Sequence, residues 1–189
     1  MSAENKYDYI LNSFLDKNFT GKTGVLLDDT NNQSSKYYIG EGDDSVVYKS
    51  LSSKHVLKFY SQERYRSERV PKEKLFLYRD ITNKLSANAT LKLDGLTLTV
   101  NPISAIIFCQ RYNCHVGISR YISGPTLSMP DIMFPLTGNR FEKFESLSRN
   151  LNSDLSLVGI KILPCNVKWH KSSLVITDLC GSVKNLEQI

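Results

Sequence analysis

Residues 36–60 constrain the fold more than any other stretch of the chain. Tyr37-Tyr38-Ile39 is β-prone, the bend Gly40-Glu41-Gly42-Asp43-Asp44-Ser45 interrupts it, and Val46-Val47-Tyr48 follows. A serine-rich polar turn then leads into a further β-prone run, residues 55–60. Strands joined across a glycine-rich bend form a hairpin that can fold over a ligand. Bare backbone amides approach an anion where no side chain intrudes.

The rest of the chain reads as short elements of both kinds. Tyr7, Ile10, Leu11, Phe14 and Leu15 recur at i, i+3, i+4, i+7 and i+8, which predicts a helix over residues 7–19. Residues 28–35 are a polar loop by composition. Pro71 suits the first turn of a helix that runs to about residue 85. Glu73, Leu77 and Ile81 repeat at i+4, which puts Glu73 on the apolar face, where a carboxylate needs a partner. Asp94-Gly95 is a two-residue hairpin signal between Leu91-Lys92-Leu93 and Leu96-Thr97-Leu98. Residues 103–109 and 115–121 read as strands, and the second ends at Gly124-Pro125. A helix is expected over 140–154, with Phe141, Phe144, Leu147 and Leu151 on one side, then short strands at 158–162, 167–169 and 174–177. The order predicts an α+β fold of two lobes, strand-rich in front and helix-led behind. The divisions fall at 1–35 (N-terminal helix and loop), 36–127 and 128–189.

Composition narrows the function classes. No run of 18 apolar residues occurs in the 189, so no membrane span is expected. The first residues carry Glu4, Lys6 and Asp8 and lack an apolar core, so no secretory signal of the usual kind is expected and the reading is cytoplasmic or intracellular. In a reducing compartment Cys109, Cys114, Cys165 and Cys180 would be free thiols, and none forms a C-x-x-C pair. The formal charge is +5, much of it in residues 58–84. Glu63, Glu68, Glu73 and Asp80 interleave with Arg64, Arg66, Arg69, Lys72, Lys74, Arg79 and Lys84, a mixed-sign face that disfavours nucleic acid. Gly21-Lys22-Thr23 is not a Walker A loop, because the required glycine falls on Asp16.

Four motifs carry chemistry. Gly40-x-Gly42-x-x-Ser45-x-Val47 has the spacing of G-x-G-x-x-G-x-V with serine for the third glycine. A strand follows it, and not a helix, which disfavours a dinucleotide-binding loop. Val56-Leu57-Lys58 places a lysine after two apolar strand residues, as in V-A-I-K; an ordinary surface lysine on an edge strand is the alternative. Tyr121-Ile122-Ser123-Gly124-Pro125-Thr126-Leu127 reads as a hinge or as a plain turn. Lys161-Ile162-Leu163-Pro164-Cys165-Asn166 keeps the proline and asparagine of D-L-K-P-E-N, and Asp178-Leu179-Cys180-Gly181 approximates D-F-G.

In this order the motifs resemble the protein-kinase-like superfamily over about residues 38–183. The compactness is similar to that of the minimal kinases among bacterial effectors, so a secreted effector is an alternative location. The resemblance implies a β-rich N-lobe with its hinge (36–127), a truncated C-lobe (128–189), and ATP and Mg²⁺ as cofactors. Gly40, Gly42, Ser45 and Val47 would cover the nucleotide, Tyr121 would lie at the hinge, and Lys58, paired with Glu73 or else Glu68, would hold the phosphates. Asn166 and Asp178 would hold the metal. Two departures matter. The catalytic-loop aspartate is replaced by Lys161, and loss of a general base costs about 10²–10⁴-fold. Only eight residues follow Gly181, too few for an activation segment or a substrate-binding platform. The expectation is an ATP- and Mg²⁺-binding phosphotransferase with weak or atypical transfer to a protein substrate. The alternatives are a pseudokinase that binds a protein partner, a basic nucleic-acid-binding domain, and a small-molecule phosphotransferase.

Overall fold

The structure is a computed structural model. It describes residues 3–18, 36–41, 45–60, 72–88, 91–93, 96–124, 126, 160–161, 166–171, 173–178 and 180–181. The architecture is mixed α+β. The helices are α1 (Ala3–Asn18) and α2 (Lys72–Asn88). The strands are β1 (Tyr38–Glu41), β2 (Val46–Lys49), β3 (His55–Tyr60), β4 (Leu91–Leu93), β5 (Leu96–Val100), β6 (Ile103–Cys109), β7 (Cys114–Arg120), β8 (Ile160–Lys161), β9 (Val167–His170), β10 (Ser173–Ile176) and β11 (Cys180–Gly181). No described helix is long and apolar enough to cross a membrane. The helix expected at 140–154, Gly42, Glu68, Pro71, the Asp94-Gly95 turn, residues 162–165 and Leu179 lie outside the described residues.

The chain forms two compact units. The first comprises Met1–Arg79 and Ile103–Tyr121. It holds a five-stranded antiparallel sheet in the order β1-β2-β3-β7-β6. The serine-rich turn between β2 and β3 is closed from within. The Ser50 amide donates to the His55 carbonyl at 2.9 Å, and the His55 amide donates to the Ser50 hydroxyl at 3.1 Å. Asn113 takes φ +49 at the end of the β6–β7 hairpin, a left-handed conformation that asparagine tolerates.

One face of this sheet is covered by α1. The helical spacing read from the sequence puts Leu11, Phe14 and Leu15 into a buried cluster with Val46, Tyr48, Leu57, Phe59, Val116 and Ile118. Phe14 is wholly buried and contacts three aromatic rings, Tyr37, Tyr48 and Phe59, with centroids 5.5–6.3 Å away. Asp16 forms an ion pair with Arg111 at 3.2 Å. Cys109 and Cys114 stand opposite each other in the β6–β7 ladder as buried free thiols. Burial pushes both up, Cys114 to about 12, so neither is a ready nucleophile.

The second unit comprises Asp80–Pro102 and Ile122–Ile189. Its larger sheet runs β4-β5-β10-β9, with β5 and β10 parallel and the other pairs antiparallel. The β4–β5 hairpin is thus separated from β6, its neighbour in sequence, and joins strands some 75 residues further on.

Helix α2 corrects the reading of Glu73. Its buried residues are Leu75, Ile81 and Thr82, whereas Glu73 is exposed in the first turn, where a carboxylate complements the helix N-terminus. Three basic residues of α2 lie over the helix's own aromatics. Lys72 and Arg79 approach the Phe76 ring at 5.3 and 4.7 Å, and Lys74 approaches Tyr78 at 5.6 Å. Long cationic side chains cover apolar surface in this way on an ordinary solvated helix face.

Two outcomes follow from the α1 interface. Phe14→Ala should destabilise the chain by about 3–5 kcal/mol, read from urea unfolding, because the cavity opens among rings that cannot collapse into it. His55 packs edge-on to Tyr7 of α1, with ring centroids 6.1 Å apart, and its Nδ1 has no hydrogen-bond partner among the described residues. Burial, then the Lys6 and Lys54 ammonium groups, hold its pKa below the usual 6.5. The fold therefore favours the neutral ring. That contribution is present above pH 6.5 and is lost as pH falls from there through the lowered folded value. The urea midpoint should drop between pH 8 and pH 5, and His55→Gln should flatten the drop.

Candidate functional site

The inward alternation of β2, β3 and β7 decides what faces the other way. Val46, Tyr48, Leu57, Phe59, Val116 and Ile118 pack toward α1. The intervening residues Val47, Lys49, Val56, Lys58, Tyr60 and Gly117 therefore belong to the opposite face. The ladders align part of this set in one cross-strand row: Gly40 opposite Val47, Val47 opposite Lys58, Lys58 opposite Gly117, and Gly117 opposite Ile106. Three residues singled out in the sequence, Gly40, Val47 and Lys58, thus share a row. Ser45 is buried immediately before β2. The ladder is irregular between Tyr38 and Gly40, and a Cβ built on Gly40 would meet nothing within 4 Å. Packing therefore does not demand glycine there, and the backbone can be approached.

Lys58 stands on a central strand, and the edge-strand alternative does not hold. Its side chain is half-buried, and Nζ lies 5.7 Å from the centroid of the Tyr60 ring. A second ammonium, Lys49, approaches the Tyr121 ring at 5.1 Å, and the Tyr121 amide donates to the Lys54 carbonyl at 2.9 Å. Glu73, the expected partner of Lys58, is exposed in the first turn of α2.

The second unit gathers the other three residues. The Thr177 amide and hydroxyl both donate to the Asn166 carbonyl, at 2.7 and 2.9 Å. This closes the open end of the β9–β10 hairpin just beyond the Val167–Ile176 pair and brings Asn166 and Asp178 to the same end. Strand β8 then pairs with β11, setting Lys161 opposite Cys180. Among the described residues no group of three or more His, Cys, Asp or Glu could hold a metal. An asparagine and an aspartate still fit Mg²⁺, which keeps several waters and takes few protein oxygens.

The expected hinge spans the change of unit, between Tyr121 and Ile122. Beyond it, Lys168 Nζ donates to the Ile122 carbonyl at 3.3 Å, and His170 Nδ1 lies 3.0 Å from the Ser123 carbonyl. Burial lowers the Lys168 pKa. Thr126 bridges to Lys168. Residues 122–124 and 126 thus lie along β9, and Gly124, at φ +128, passes against the Trp169 carbonyl.

Tyr60, Gly117, Lys49 and Thr177 are not signalled by any motif. Tyr60 was accessible from strand alternation, since it lies two residues after Lys58. Gly117 could be found only from the register of β3 with β7, a non-local pairing. No protein-family model matches this chain, and no curated protein matches it.

Gly124→Ala tests the Ile122–Thr126 packing. A methyl group there would strike the Trp169 carbonyl oxygen and would add the cost of a positive φ. Thermal unfolding should show a loss well above 1 kcal/mol, about the penalty of the left-handed backbone alone.

Proposed function

We propose that this chain is a kinase-like protein that binds ATP and Mg²⁺, with weak or atypical phosphoryl transfer. The observation that carries the reading is the single row of Gly40, Val47, Lys58 and Gly117 on the sheet face opposite α1. An approachable glycine backbone, a flat branched side chain and an ammonium in line suit a nucleotide and its phosphates. Lys58 supplies charge to the phosphates from the third strand, the place such a lysine occupies in protein kinases. Gly40 and Ser45 flank, in the sequence, the segment with Gly42 that would cover them. Asn166 and Asp178 would hold the metal. The partner would be a protein substrate or a protein that reads the bound state.

One observation favours a second reading, a pseudokinase that binds nucleotide without turnover. Lys161 is paired opposite Cys180, close in sequence to Asp178, where the resemblance calls for an aspartate. A protonated lysine cannot accept the proton of an attacking hydroxyl. Transfer would then depend on positioning and charge neutralisation alone.

Thermal unfolding with and without Mg-ATP tests the proposal. Ligand at about a hundred times its Kd adds about 2.7 kcal/mol. A metal-dependent rise in Tm that is lost in Lys58→Ala and in Asp178→Ala is expected. No rise at millimolar Mg-ATP would refute nucleotide binding. Radiolabelled phosphate transfer in the same samples separates the two readings, and Lys161→Asp should raise any transfer detected.

A further inference from the structure

We infer that Tyr60 is a positioning residue for the Lys58 ammonium, and that Gly117 is the gap in the sheet that lets it act. This rests on the nucleotide-binding reading of the same face. Lys58 and Tyr60 are two residues apart on β3, so their side chains leave the same face roughly 7 Å apart and do not meet by default. One of them must lean along the strand. The tyrosine does: Cε2, Oη and Cζ of its ring lie 3.1, 3.6 and 3.8 Å from where a Cβ on Gly117 would stand. Gly117 is the cross-strand partner of Lys58, whereas Tyr60 itself pairs with His115. The phenol end therefore crosses diagonally into the row of the lysine and occupies the space that a side chain at 117 would fill.

Two consequences follow for Lys58. Its Nζ lies 5.7 Å from the ring centroid, within the range at which an aromatic face attracts an ammonium. A four-carbon stem carries large rotamer freedom, and the ring is one of the groups that restrict it before any ligand arrives. The ring also bounds the lysine on one side. Beyond it the face continues as His115 and Phe108, whose rings pack edge to face at 5.3 Å. At the far end of the lysine's own row, Gly40 leaves its backbone uncrowded. The ammonium is thus held in the row that also carries Val47 and Gly40, where the phosphates are proposed to bind. The i, i+2 pair of lysine and tyrosine functions as one unit, and the missing side chain at 117 is part of it.

The test uses the full chain and two readouts. Mg-ATP affinity is measured by calorimetry, and the Lys58 ε-methylene NMR resonance, assigned with Lys58→Ala, reports ring current in the absence of ligand. Tyr60→Phe keeps the ring face, so it should retain both affinity and resonance. Tyr60→Leu and Gly117→Ala should move the resonance toward that of an ordinary lysine and weaken Mg-ATP about three- to tenfold, the scale of a partly desolvated cation–aromatic contact. An unchanged resonance in Tyr60→Leu overturns the assignment, as does a wild-type affinity in that variant. Equal losses in Tyr60→Phe and Tyr60→Leu also overturn it, since the hydroxyl would then be the active group. Absence of Mg-ATP binding by the wild-type chain would remove the nucleotide reading and this role together. Intact binding in Tyr60→Leu would remove only this role.

Discussion

The packing of Phe14 against Tyr37, Tyr48 and Phe59 is the contact on which the first unit depends. A sheet has two faces, and a strand of alternating residues can present either one inward. Seating α1 on one of them removes the choice. Val46, Tyr48, Leu57 and Phe59 turn inward around Phe14, and because the side-chain period is two, Val47, Lys58 and Tyr60 must turn outward. The candidate face is thus a consequence of burial on the other side. A slip of one residue in the β2–β3 register would bury Lys58 and expose Leu57.

In the second unit, hydrogen bonds to a backbone carbonyl close the ends of two strands. Two donors from Thr177 converge on one carbonyl, that of Asn166. They tie the beginning of β9 to the end of β10 beyond the last ladder pair, which leaves the flanking Asn166 and Asp178 at one end of a short, stiff hairpin. The same hairpin's other strand, β9, receives residues 122–124 and 126 through Lys168, His170 and the close passage of Gly124. A hairpin of eight paired residues therefore anchors both the candidate metal ligands and the segment entering the unit.

Local patterns carried much of this. Helix α1 was legible because five apolar residues share one helical face, and β3, β6 and β7 were legible because they are continuous β-prone runs between turn residues. Lys58 was legible as a strand lysine. Glu73 was misread because i+4 spacing identifies a stripe without fixing which stripe is buried; the partner surface chose Leu75, Ile81 and Thr82 instead. The glycine motif drew notice to Gly40, but its open surroundings appear only in three dimensions.

The sequence by itself determined the kinds of element, their order, and the residue types able to meet phosphate and metal, since these follow from periodicity and side-chain chemistry. Tertiary structure decided what stands beside what. The parallel union of β5 with β10, the alignment of Gly40, Val47, Lys58 and Gly117, and the tyrosine leaning over Gly117 all rest on registers between strands distant in the chain. Such registers are fixed by the burial of both partners at once, and no single segment encodes them.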